Sequence, residues 1–279
     1  MRRHRRKRIL VYALLIPTAF FLACPVFWLL ILSFRPNSVI VSGLGSITSG
    51  KFVLDNYVTL FTTYDVGRYM VNSLIGTIVP SVLSVLLALL AAYALVRFDF
   101  PGRTFFYSLP LFAQVVPLIQ LIVPLYVIML ALGQLDTYTA IIIAHLSLVL
   151  PLSIWMMTGY LKGTSPEIEE AAMVDGCSRI GAIFRIVIPT ALPGIMATGV
   201  YAFLETWGEF LVAYLLTSKE NMRLLSVAVY TFLPGAQSPT TWGILFAVAA
   251  VFMIPSLVLF VFLQRSFQQG LAIGAVTGR

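Results

Sequence analysis

Glu205 and Glu209, four residues apart in a long apolar run, are the side chains best placed to do chemistry in this sequence. At helical spacing they share one face, and Tyr201 joins that face four residues earlier. A charged residue at the centre of a bilayer costs about 2.5–3.5 kcal/mol on insertion scales, so such a pair faces a cavity or a partner. Two uses fit the pattern. The pair lines a path for a solute with Tyr201 and Trp207, or it bonds to neighbouring helices or a second subunit. Gln114, Gln120, Asn72 and His145 are uncharged polar residues in other apolar runs and are candidates for the same path.

Several chemistries are not expected of the chain. It has no G-x-x-x-x-G-K-[ST] phosphate loop, so it should not hydrolyse ATP. Its two histidines, His4 and His145, form no H-E-x-x-H, and Cys24 and Cys177 have no metal-ligand spacing, so no metal site is expected. Nothing suggests a Ser/His/Asp triad. No catalytic residue is assigned, and the chain is not expected to be an enzyme.

A second polar feature is the island Ser165 to Gly194, SPEIEEAAMVDGCSRIGAIFRIVIPTALPG. Ser165-Pro166 reads as a helix cap and first-turn proline, with Glu167, Glu169 and Glu170 set favourably against the helix dipole. Ile168, Ala171 and Ala172 give a small apolar face, and Asp175-Gly176 stops the helix through a left-handed turn. Ser178 caps a second helix with an apolar stripe of Ile180, Ile183, Phe184 and Val187, ended by Pro189. The spacing predicts two short helices joined by a turn. A DNA-binding helix-turn-helix is the poorer reading, because apolar runs flank the island closely and only Arg179 and Arg185 face outward.

The elements that hold these residues are membrane spans. With 59% hydrophobic and 10% charged residues, the chain lacks the roughly one-quarter charged content of soluble domains. The net charge of +7 suggests nucleic acid, but the basic head from Arg2 to Arg8 supplies nearly all of it, so no basic face remains. Apolar runs at about 9–34, 69–96, 104–132, 138–158, 191–217 and 242–263 predict an all-α, six-span membrane protein. Pro110, Pro117 and Pro124 return to one face of span three and predict a kinked helix. Of the 18 Lys and Arg, only Arg35, Lys51, Arg68, Lys219 and Arg223 fall opposite the N-terminus, so both termini and the island are expected to be cytoplasmic.

Glu170-Ala171-Ala172, then Asp175-Gly176, Ile186 and Ile188-Pro189, resembles the EAA loop of binding-protein-dependent ABC importer permeases, with Ile188 in place of the usual leucine. The resemblance implies that this loop docks on an ATPase subunit through Glu170, Ala171, Ala172, Asp175, Gly176, Ile186 and Pro189. Leu54-Asp55-Asn56-Tyr57 and Asn72-Ser73 are similar to wording in sugar-type permeases. Trp207-Gly208-Glu209-Phe210 resembles "WNEF" there, with Gly208 departing from the asparagine. The ending from Gln264-Arg265 to Gly278 looks like that of maltose-permease (MalG-like) subunits, where the tail reaches the ATPase pair; here Gly270, Gly274 and Gly278 would make that contact.

The division implied is a basic head, first span and extracytoplasmic linker at 1–67, a transmembrane core at 68–265 with coupling helices at 165–189, and a cytoplasmic tail at 266–279. The tail is too poor in bulky side chains to fold alone. The resemblance further implies a second homologous permease subunit, two ATPase subunits, an extracytoplasmic solute-binding protein and a sugar substrate, in a bacterial or archaeal inner membrane with its lipid. ATP and Mg2+ would sit on the ATPase partners, with no cofactor on this chain and no nucleic acid. An ABC permease for amino acids or phosphonates is the near alternative. A proton-coupled transporter using Glu205, Glu209 and His145 is the distant one.

Overall fold

The computed structural model describes residues 2–43, 50–234 and 241–276, with side chains over 11–43, 50–234 and 241–262. Among the described residues all regular structure is helical. The helices are α1 (Arg2–Ser33), α2 (Asn37–Val41), α3 (Asp55–Thr62), α4 (Val66–Arg97), α5 (Arg103–Val115), α6 (Leu118–Ala131), α7 (Tyr138–Lys162) and α8 (Glu167–Val174). They continue with α9 (Arg179–Ala182), a π turn (Ile183–Val187), α10 (Ile188–Gly208), α11 (Leu211–Leu216), α12 (Leu225–Thr231) and α13 (Trp242–Val276). Among the described residues five helices are long and apolar enough to cross a membrane, and α5 with α6 makes a sixth if that bent pair is one span. Side chains left exposed on these helices, such as Leu90, Phe112 and Phe262, are apolar, as hydrocarbon neighbours require.

The chain divides into two compact units, Met1–Gly67 with Ala228–Ile254, and Arg68–Val227 with Pro255–Arg279. In the first, Asn56 finishes the end of α1: its amide donates to the carbonyls of Ser33 and Arg35, both at 2.9 Å. Ser33 Oγ meets the Tyr57 hydroxyl at 2.7 Å, and the Arg35 guanidinium lies 4.1 Å from the Phe52 ring centroid. The Leu54-to-Tyr57 stretch thus satisfies carbonyls that a helix end leaves without partners.

In the second unit α10 and α5 pack on α7. Ala88, Ala92, Met157, Leu161 and Ala191 form the core between α4, α7 and α10. A Cβ on Gly194 would stand 2.4 Å from the Tyr160 ring, so only glycine admits this approach. Ser84 donates to Ser153 across the helices at 2.8 Å. Small residues and hydroxyls are the usual glue between helices in lipid.

Four expectations need correction. Span three is two helices bent by 98°, not one kinked helix. Of its three prolines only Pro117 breaks it, because Val116 before it is extended (ψ 119°) as a pre-proline residue prefers. Pro110 and Pro124 remain inside helices. Secondly, Pro189 does not end the island's second helix; α9 runs through the π turn into α10 as one 30-residue span, with the wider turn just ahead of the missing N–H. Thirdly, span five is interrupted at Glu209, whose ψ of 126° separates α10 from α11. Finally, α13 carries the tail in helical form to Val276, including Gly270 and Gly274, since extending an existing helix adds a hydrogen bond per residue fixed. Gly278 lies outside the described residues.

Candidate functional site

The polar island folds as its caps dictate. Ser165 Oγ accepts from Glu167 N at 3.2 Å, and α8 ends at Asp175 with Gly176 at φ +91°. Cys177 N closes the turn on the Ala172 carbonyl at 3.0 Å, and Ser178 Oγ accepts from Gly181 N at 3.2 Å. The stripe expected on the second helix divides. Ile183 and Val187 pack into the core between α4 and α7, whereas Ile180 and Phe184 stay exposed, together with Val174 at 87%. Periodicity marks an apolar face but not which part of it meets its own protein. Glu170, Ala171, Asp175, Gly176 and Pro189 are exposed, while Ala172 and Ile186 are half-buried.

Glu169 holds this loop to the membrane helices. Its carboxylate accepts from the Tyr93 hydroxyl and from Arg97 Nε, the latter at 3.0 Å. Arg97 Nη2 also donates to Thr164 Oγ1 at 3.2 Å. The pair is nearly dry, with 12% of the Arg97 side chain and 5% of the Glu169 side chain exposed. Arg179 adds a cation over Phe98, 4.9 Å from the ring centroid. From sequence, Glu169 counts only as a first-turn acid; no local signal names partners more than seventy residues away.

The intramembrane candidates separate. A cavity of about 390 Å³ opens where the α5–α6 break faces α7 and α10, lined among others by Gln114, Pro117, Ser147, Pro151, Tyr201, Glu205, Thr206 and Glu209. Gln120, Asn72 and Trp207 do not line it. Trp207 is buried and stacked on Phe203 with centroids 5.8 Å apart. Asn72 is buried and organises the loop after α11. Its amide donates to the carbonyls of Asn221 (3.0 Å) and Arg223 (2.9 Å), and its oxygen accepts from the Tyr138 hydroxyl (2.6 Å). Asp136, at φ +59°, fixes the other side of that loop by accepting from Ser218 N and Lys219 N at 2.6 and 2.7 Å.

Glu209 caps α11, accepting from Val212 N at 3.0 Å and Ala213 N at 3.1 Å. Fully buried His145 meets the Gly76 carbonyl through Nδ1 at 2.6 Å and turns Nε2 toward Glu209 Oε2 at 3.7 Å, within ion-pair reach. Glu205, one turn earlier, is exposed to the cavity.

These features define a helical membrane component with a polar helix-turn-helix loop at one end of its spans and a cavity at a broken helix. Residues 84–273 match the family described as binding-protein-dependent transport system inner membrane component, and the chain belongs to that family. Among its relatives, the sulfoquinovosyl glycerol transport system permease protein SmoH of Agrobacterium fabrum is 32% identical, over 91% of this chain and 88% of its own length. The trehalose/maltose transport system permease protein MalG of Thermococcus litoralis is 30% identical over the full length of both. The arabinooligosaccharides transport system permease protein AraQ of Halalkalibacterium halodurans is 32% identical over 93% of each. The fold matches a chain of a bacterial ABC transporter involved in importing the acidic polysaccharide alginate, with a TM-score of 0.80, 20% identity, and coverage of 95% of this chain and 98% of that one. The relatives are thus permease proteins of transport systems for sugars and sulfoquinovosyl glycerol, and the chain is a transport component of the inner membrane.

Proposed function

We propose that this chain is the permease subunit of an ATP-binding-cassette importer that moves a mono- to oligosaccharide into the cytoplasm. The observation that carries the reading is the loop from Ser165 to Pro189. Val174, Ile180 and Phe184 lie exposed on a turn that Glu169 ties to α4. Apolar side chains at such a polar end fit a partner's cleft better than water. The residues meeting that partner are Glu170, Ala171, Ala172, Asp175, Gly176, Ile186 and Pro189, with the tail as a second contact through Gly270, Gly274 and Gly278.

Two ATPase subunits carry ATP and Mg2+, a second homologous permease completes the pathway, and a solute-binding protein delivers sugar from outside. Closure of the ATPase pair pushes the loop, and the loop moves α4 through the Arg97–Glu169 pair and α10 through the continuous π turn. The cavity beside α10 then alternates between the two sides of the membrane. Both termini lie in the cytoplasm, on the side of the basic head.

The test is uptake by vesicles holding the assembled importer. Sugar uptake that requires ATP with the ATPase partners and survives a proton ionophore supports the reading. Uptake without ATP that the ionophore abolishes overturns it in favour of proton coupling through Glu205, Glu209 and His145.

A further inference from the structure

We infer that Glu205 is the selectivity group of the cavity, and that it admits uncharged saccharides while rejecting those bearing a carboxylate or sulfonate. The inference rests on the sugar-import reading and adds a substrate class to it.

Among the described lining residues of this chain, the charged ones are Glu205 and Glu209, with no Lys or Arg. Their states differ. Glu209 spends its oxygens on the N–H groups of Val212 and Ala213, and faces His145 Nε2. A carbonyl only accepts, so the Gly76 oxygen at 2.6 Å holds the hydrogen on His145 Nδ1. Nε2 is fully buried, has no hydrogen-bond partner among the described residues and stands 3.7 Å from a Glu209 carboxylate oxygen. Glu209 is therefore structural: it ends α10, caps α11 and has both oxygens engaged.

Glu205 has no hydrogen bond or ion pair among the described residues, yet its carboxylate lines the cavity. A free carboxylate accepts several donors at once, which suits the adjacent hydroxyls of a sugar. The rest of the lining complements that use. Gln114 and Ser147 offer neutral donors and acceptors, while Tyr201, Pro117 and Pro151 offer flat apolar surface for the C–H face of a ring. At about 390 Å³ the cavity falls in the range of about 300–1,000 Å³ typical of small-molecule sites. A uronate or sulfonate placed there meets a like charge with no cation among the lining side chains, and low-dielectric walls strengthen the repulsion.

The experiment measures equilibrium binding to the purified permease–ATPase complex without the binding protein, so that delivery does not bias the result. The probes are maltose, cellobiose and trehalose, each paired with its monouronate counterpart. Wild type should bind at least one neutral disaccharide, and its uronate at least about tenfold more weakly, a preference worth about 1.4 kcal/mol. Glu205→Gln should shrink that ratio severalfold, and Glu205→Lys should reverse it. An unchanged ratio in both variants, or wild-type binding of uronates as tight as of neutral sugars, or of no probe at all, would overturn the inference. ATP-driven sugar uptake by the same wild-type complex is measured in parallel. Its loss would instead refute the import reading on which the inference rests.

Discussion

Removing the Glu169 carboxylate should uncouple ATP hydrolysis from transport without preventing the chain from entering the membrane. In Glu169→Ala, Arg97 keeps Thr164 but loses its counter-ion, and the Tyr93 hydroxyl loses its acceptor. Breaking a buried pair by deleting one partner costs about 3–5 kcal/mol, and the retained Thr164 contact argues for the lower end. About 3 kcal/mol corresponds to roughly two orders of magnitude in the population of correctly seated loop. The assay is a reconstituted importer in which ATP hydrolysis and uptake are measured together, with thermal unfolding followed separately. Sugar moved per ATP should fall more than tenfold while basal hydrolysis continues, and the melting temperature should drop. Glu169→Gln, which keeps an acceptor but no charge, should fall between. A double-mutant cycle with Arg97→Ala should give a coupling energy above about 1.5 kcal/mol, since the two groups touch. Additive single effects, or an unchanged ratio of sugar to ATP, would refute the reasoning.

Three further outcomes follow from the geometry. Gly176→Val should insert normally yet lose most uptake; nothing lies within 4 Å of an added Cβ, so the penalty is the left-handed backbone alone, at least about 1–2 kcal/mol, and Gly176→Asn should be milder when both are compared by uptake rate. Asn72→Ala leaves the carbonyls of Asn221 and Arg223 and the Tyr138 hydroxyl without partners, a cost of about 1–3 kcal/mol that should appear as lower thermal stability with unchanged sugar preference. Glu209→Ala removes the α11 cap and strands His145, so stability should fall by more than the roughly 1 kcal/mol of an ordinary cap, measured by thermal unfolding of the purified complex.

What the sequence makes legible is local. Ser165, Gly176 and Ser178 specify the island's two helices because caps and left-handed turns involve residues only a few positions apart. The long apolar runs declare the spans for the same reason. Three features escape because their causes are distant or degenerate. Pro117, Pro110 and Pro124 look alike in sequence, yet only Pro117 follows an extended residue and breaks its helix. Glu209 and Glu205 look like a matched pair at helical spacing, but the interruption after Gly208 turns one into a cap. Asn72 reads as a polar residue in a membrane helix, and its partners come 66 positions later at Tyr138 and about 150 later at Asn221 and Arg223.

The central claim is that the Val174–Phe184 turn is where an ATPase subunit docks, and cysteine cross-linking tests it most directly. Cys24 and Cys177 are first replaced by serine, and single cysteines are placed at Val174, at Phe184 and, as a control, at Val115, all three exposed in this chain. In the assembled importer, a short thiol-to-amine cross-linker should join the Val174 and Phe184 positions to the ATPase subunits and leave the Val115 position unjoined. The absence of an ATPase adduct at both loop positions, with either one labelled from outside intact cells by a membrane-impermeant thiol reagent, would contradict the account.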